Sequence, residues 1–189
     1  MSFTIKETEI DSIVCKVCTD TEQGSGVICK VNNDLSYILT CSHVIKNSKE
    51  FTIYIKDNNT IKSIKVSNPR ERFQNKVVDS AVIVINNNID EFLKTISPFK
   101  VIKNEMDADE KADMILSGYP SIRNYGGDFN NIVIDECRYS SVDMLRTNVK
   151  LDTHTSYGIE NCKGFSGGGI FVKYNNKTFL TSIASEYYE

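Results

Sequence analysis

Three residues of this 189-residue sequence could do chemistry together: His43 in SYILTCSHVIKN, Asp79 in VVDSAVIVI and Ser166 in NCKGFSGGGIFVKYN. The histidine ends an apolar strand pattern. The aspartate interrupts another, where a carboxylate is costly to bury unless something pairs with it. The serine is flanked by Gly164, one residue removed, and by three following glycines. Singly, each has an ordinary structural reading: a satisfied strand-end ring, a turn residue, a loop. Together they supply a base, an orienting carboxylate and a nucleophile, the set that acyl transfer requires.

The glycines sharpen that reading. Glycine is used where backbone takes φ > 0 or approaches another group closely, and the group approached here is either a phosphate or a reacting carbonyl. A phosphate loop needs GxxxxGK[ST] between a strand and a helix, whereas these glycines run straight into the strand pattern IFVKY with no Lys-Ser or Lys-Thr after them. A tight turn through Gly164, Phe165 and Ser166 can instead aim two backbone N–H groups at the oxyanion of a tetrahedral intermediate, each such donor being worth roughly 3–4 kcal/mol. The imidazole takes the hydroxyl proton during attack and returns it to the leaving amine. The carboxylate fixes the tautomer and stabilises the imidazolium.

The elements that must hold these groups are strands. GVICKV-NND-LSYILT, FTIYIK-DNN-TIKSIKV and FVKY-NN-KTFLTSIA each alternate apolar and polar residues on either side of a short polar turn, the pattern of a β-hairpin. VVDSAVIVI is a nearly continuous apolar run and predicts a buried strand. IDEFLKTIS fits one or two helical turns, NEMDADEKAD is an acidic loop, and MILSGYP, NIVIDECRYSS and MLRTNVKLD return to strands. The chain is therefore expected to be all-β, two barrels or sandwiches with a boundary between about Asn86 and Pro98.

Composition narrows the partners. Forty per cent hydrophobic and 25% charged residues describe a globular domain with a real core, and a formal net charge of −3 argues against a broad nucleic-acid surface. No run approaches the length of a membrane-spanning helix, and MSFTIKETEIDS lacks the basic and apolar regions of a secretion signal. A cytoplasmic location is expected. The six cysteines do not cluster into a stapled framework. CKVC at 15–18 has no second pair to complete a zinc site, and residues three apart in a strand face opposite ways. Free thiols are expected, with no metal and no cofactor.

The three motifs in their order resemble those of the trypsin-like serine proteases: ILTCSHVI the histidine motif, DSAVIVI the aspartate motif, GFSGGGIF the serine motif. GSGVICKV is similar to the first hairpin of bacterial members, and LSGYP with LDTHTS to the second barrel of the Deg-type and glutamyl-endopeptidase branches. The resemblance spans about Gly24 to Glu186. It implies the chymotrypsin fold, two antiparallel β-barrels with the active site in the cleft between them: residues 1–92 carrying His43 and Asp79, and residues 93–189 carrying Ser166. It further implies an oxyanion hole formed by Gly164 and Ser166, and places Glu160 at the base of the primary specificity pocket, where an acid favours Arg or Lys before the scissile bond. By the same resemblance TSIASEYYE is the pocket wall, with Ser185 supporting the aspartate and Glu186 and Tyr187 lining the substrate edge. His154 is assigned to a strand surface.

The chain also departs from the family's secreted members. Phe165 replaces the aspartate that pairs with a cleaved N-terminus, Val44 follows the histidine where a half-cystine is usual, and Cys162 lacks its customary partner. These features fit a reducing compartment and an enzyme not activated by clipping. The family continues beyond SIASEYYE with a further strand, so the sequence is expected to be one domain of a longer protein. The implied function is a serine endopeptidase acting on protein or peptide substrates and regulated by a partner or fused sensor domain, by analogy with bacterial antiphage systems. The alternative is a catalytically silent module of the same fold that binds peptides by strand addition.

Overall fold

The computed structural model describes residues 10–46, 48–57, 60–67, 69, 71–96, 113–119, 132–142, 149–152, 164–174 and 177–185. A single helical turn α1 (Ile10–Ile13) leads into β1 (Val14–Cys18), β2 (Gln23–Lys30), β3 (Leu35–Thr40), a second one-turn helix α2 (Ser42–Ile45), β4 (Phe51–Asp57), β5 (Thr60–Val66), β6 (Glu71–Asn75) and β7 (Ser80–Asn86). A 3-10 turn at Asn87–Ile89 and α3 (Glu91–Thr95) follow. Asn86 and Asp90 cap these two in turn, accepting from the backbone N–H groups of Asn88 and Phe92, as short polar side chains do at helix starts. The second half holds β8 (Asp113–Gly118), β9 (Ile132–Val142), β10 (Val149–Asp152), β11 (Gly169–Tyr174) and β12 (Lys177–Ile183).

These strands form two antiparallel sheets, seven strands in the order β5-β4-β1-β2-β3-β7-β6 and five in the order β10-β9-β8-β11-β12. The all-β expectation holds, and the three hairpins expected from turn chemistry are β2–β3, β4–β5 and β11–β12. The helical turn read from IDEFLKTIS is α3. In β3, Ser36, Ile38 and Thr40 are buried while Tyr37, between the first two, is exposed, the period-two pattern of a strand with one wet face.

Two strands differ from expectation. VVDSAVIVI is not one buried run: β7 begins at Ser80, residues 76–79 form a turn, and Val77 is 94% exposed. Asn75 causes the break. Its side-chain oxygen accepts from the N–H groups of Val77 and Val78, holding the chain in a turn that apolarity alone does not foretell. Conversely, β2 is buried at every position from Gly24 to Lys30, where the sequence pattern suggested one exposed face. Its second face is covered because the turn at Gly164–Gly168 and β8 pack on it.

The core is continuous across the two sheets. Val27, Ile28, Ile38, Ile53 and Ile83 from the first and Ile115, Phe171 and Leu180 from the second belong to one buried cluster, each large side chain contributing about 1.5–3 kcal/mol of burial. Cys15 lies fully inside, whereas Cys18 is half-exposed, the opposite facing expected of residues three apart. Burial pushes both the Cys15 and Cys29 thiols upward, Cys29 to about 12, so the core thiols stay protonated. Among the described residues, no helix is long and apolar enough to cross a membrane.

Candidate active site

His43 does not end β3; it sits in α2, which starts two residues later. One turn of helix is too short to hold itself, and neighbours fix it from both sides. At its start the N–H of Ser42 donates to the carbonyl of Asp79 at 3.2 Å. At its end Lys46 adopts φ +33, with its carbonyl accepting from Arg72 and, at 2.8 Å, from Gln74. The β6–β7 hairpin thus grips the helix at both ends.

Asp79 is the last residue of that hairpin's turn, at φ +41, a left-handed conformation that aspartate tolerates better than most residues. The bend turns its carboxylate onto His43. One oxygen accepts from the His43 backbone N–H at 3.0 Å, and the other lies 2.6 Å from Nδ1. An ionised carboxylate only accepts, so Nδ1 carries the hydrogen and Nε2 is left with a lone pair. The His43 side chain is 43% exposed and that of Asp79 24%, so the pair is accessible from solvent on the imidazole side.

Ser166 belongs to a turn closed by the Gly168 N–H donating to the Phe165 carbonyl at 2.6 Å. The third residue of this turn is Gly167 at φ +88, where a type II turn requires a residue without a Cβ. Space makes the same demand: a Cβ on Gly167 would stand 2.0 Å from the Ser25 carbonyl oxygen. Gly164 also lies at positive φ, +96. Close approach and left-handed backbone, the two reasons inferred for this glycine run, both operate here.

The turn is tied to the first sheet through Ser25. Its N–H donates to the Ser166 carbonyl at 2.7 Å, its hydroxyl donates to the Gly164 carbonyl at 2.5 Å, and that hydroxyl accepts from the Tyr119 N–H at 2.8 Å. Thr40 in turn donates to the Ser25 carbonyl at 2.6 Å. Behind the turn, the Gly167 N–H donates to the Ala184 carbonyl and the Ala184 N–H to the Gly168 carbonyl, at 2.7 and 2.8 Å. Ser25, Thr40 and Ala184 were not anticipated as site residues. The available signal was GSGV, whose glycines allow the close approach, and a hydroxyl three residues before His43.

Ser25→Ala should therefore do more than remove one hydroxyl. It orphans the buried carbonyl of Gly164 and the N–H of Tyr119, which should lower stability by at least about 2 kcal/mol at 1–3 kcal/mol per unsatisfied group. Urea unfolding of the variant beside the parent checks this, with a change below 1 kcal/mol contradicting the bridging role.

His43, Ser166 and Gly164 line one cleft of about 610 Å³ with Thr19, Thr21, Glu22 and Gln23, where β1 passes into β2. Glu22 on this wall pairs with Lys46, and that ammonium holds its carboxyl below the usual range. Ser185 follows β12, half-buried; among the described residues Asp79 takes its hydrogen bonds from Ser42 and His43 rather than from Ser185. Glu160, Glu186, Tyr187 and His154 lie outside the described residues.

No family model matches the chain. It is 27% identical over 152 residues to CLIP domain-containing serine protease C9 of Anopheles gambiae, a match covering 67% of this chain and 42% of that protein. The chain thus spans about two fifths of the length of this curated relative. Among solved structures, the serine endoprotease of Yersinia pestis superposes with a TM-score of 0.61 at 20% identity, over 94% of this chain and 55% of that one. The HtrA-type protease AlgW with tripeptide gives 0.57 at 17% identity, over 87% and 48%. The chain is similar to trypsin-like serine proteases and has their fold.

Proposed function

We propose that this chain is the peptidase domain of a serine endopeptidase, acting through His43, Asp79 and Ser166. The observation that carries the reading is the 2.6 Å pair of His43 and Asp79 lining the same cleft as Ser166 and Gly164. In the proposed cycle Ser166 Oγ attacks the scissile carbonyl carbon while Nε2 of His43 takes its proton. The N–H groups of Gly164 and Ser166 receive the oxyanion, and collapse expels the amine, protonated by His43, to leave an acyl-enzyme. Water, activated by the same imidazole, then releases the acid and restores the serine.

The finer parts of the proposal rest on the resemblance. Residues 1–92 and 93–189 are the two units. Glu160 sets a preference for Arg or Lys before the scissile bond, Ser185, Glu186 and Tyr187 line the substrate edge, and a partner or fused sensor domain regulates the enzyme in the cytoplasm, in the manner of prokaryotic antiphage systems. Fluorophosphonate labelling of the chain beside Ser166→Ala tests the core claim. Labelling confined to the parent chain supports an armed nucleophile, and a panel of fluorogenic peptides then tests Glu160. Absence of labelling in both means a latent enzyme awaiting its activator or a peptide-binding module, and labelling repeated with the regulatory partner then decides between them.

A further inference from the structure

The catalytic pair has a third neighbour. Cys41, immediately before α2, is fully buried, and its Sγ donates to the Ala184 carbonyl at 3.1 Å. One ligand atom from each of Cys41, His43 and Asp79 lies within 4.8 Å of the others. Zinc bonds of about 2.0–2.3 Å to nitrogen, oxygen and sulfur in a tetrahedron place such ligand atoms about 3.4–3.6 Å apart, so the cluster is near coordinating size. The His43–Asp79 contact has to open by less than 1 Å, and the sulfur has to draw in. A thiolate, an imidazole and a carboxylate together select zinc or a similar borderline ion over magnesium or calcium, which take all-oxygen sites. The exposed side of His43 gives an ion its way in and leaves a fourth position to water.

We propose that Cys41, His43 and Asp79 form a binding site for Zn²⁺ or a cation of the same class, and that occupation switches the site off. Binding releases the thiol proton of Cys41 to solvent, while the imidazole stays neutral and keeps its single proton. The switching follows from the imidazole. A metal on Nδ1 leaves the remaining proton on Nε2, and a metal on Nε2 occupies the lone pair; in either case no base faces Ser166. The Ala184 carbonyl loses the thiol donor but keeps the N–H of Gly167, so the serine turn stands while the base is gone. The inhibition rests on the protease reading, whereas the binding does not.

The test separates the two. Ser166→Ala protein is titrated with Co²⁺, which reports a thiolate ligand by a charge-transfer band and tetrahedral geometry by its visible bands. The expected result is both signatures, displaced by Zn²⁺. In Ser166→Ala protein also carrying Cys41→Ala, or Cys41→Ser as a second variant should alanine leave the chain unfolded, the charge-transfer band is lost and affinity falls at least about tenfold, the lower end of what even indirect ligand support contributes. With active chain, Zn²⁺ inhibition reversed by EDTA should weaken by a similar factor in the cysteine variants, each rate normalised to that variant's own metal-free rate. A chain that shows no thiolate band, or whose band or inhibition is unchanged without Cys41, overturns the site. If the chain hydrolyses nothing, the cobalt spectra still decide it.

Discussion

Ser166→Ala is expected to lower peptide hydrolysis by roughly 10⁵–10⁶ in kcat, and His43→Ala by a comparable factor, because in the proposed mechanism nucleophile and base work as one unit whose first loss removes most of the benefit. The double variant should be scarcely slower than either single one. Asp79→Asn should cost about 10⁴ with the geometry nearly kept, since an amide in place of the carboxylate no longer fixes the ring with its hydrogen on Nδ1. In this chain the substitution also touches structure. The oxygen that accepts from the His43 backbone N–H survives if the amide oxygen takes that place, and its NH₂ then faces Nδ1 and selects the tautomer protonated on Nε2. Steady-state kinetics on a peptide found by the fluorogenic panel measure all four rates. Multiplicative losses in the Ser166/His43 double variant would show that the two residues do not act together.

Gly167→Ala carries the largest expected structural effect. The methyl group meets the Ser25 carbonyl oxygen at 2.0 Å and the Thr40 hydroxyl oxygen at 2.6 Å, and the backbone is held at φ +88. Left-handed backbone costs a Cβ-bearing residue about 1–2 kcal/mol, and overpacking a filled site adds about 1–3 kcal/mol or more, for a total of about 2–5 kcal/mol. At about 2–4 °C per kcal/mol in a chain of this size, thermal unfolding should fall by roughly 4–20 °C. Relief requires Ser25 or the turn to move, and either shift drags Ser166 through its 2.7 Å bond to the Ser25 N–H. Fluorophosphonate labelling should therefore fall even at temperatures where the variant is folded. A variant as stable and as reactive as the parent would contradict the packing described here.

The parts of this site that could be read in the sequence are those with singular chemistry. A histidine, an aspartate within an apolar run, and a serine among glycines stand out because together they supply a base, an orienting carboxylate and a nucleophile, and the structure brings His43, Gly164 and Ser166 to one cleft and Asp79 against His43. The hairpins were legible because Asn and Asp turns interrupt alternating strands. The exposed turn before Asp79 was not, because Val77 and Val78 look like strand residues and only the Asn75 side chain reveals the bend. Ser25 was hidden for a different reason. Its partners are Gly164, Ser166 and Tyr119, and the glycines of GSGV, which allow a close approach, do not say what approaches from so far along the chain. The burial of every position of β2 from Gly24 onward follows from the same remote packing.

That distance has a consequence for how the molecule comes into being. The hydroxyl of Ser25 and the carbonyl of Gly164 are 139 residues apart in sequence, a closure whose chain-length contribution is about 4 kcal/mol, against about 2 kcal/mol for the Thr40–Ser25 bond across 15 residues. Hairpins close early and the serine turn is braced late, once both halves have met. On the proposed function, a nascent or partly unfolded copy of the chain thus has its strands without a braced serine turn, and the long-range bonds from Ser25 to Gly164 and Ser166 tie the reactivity of that serine to the folded state.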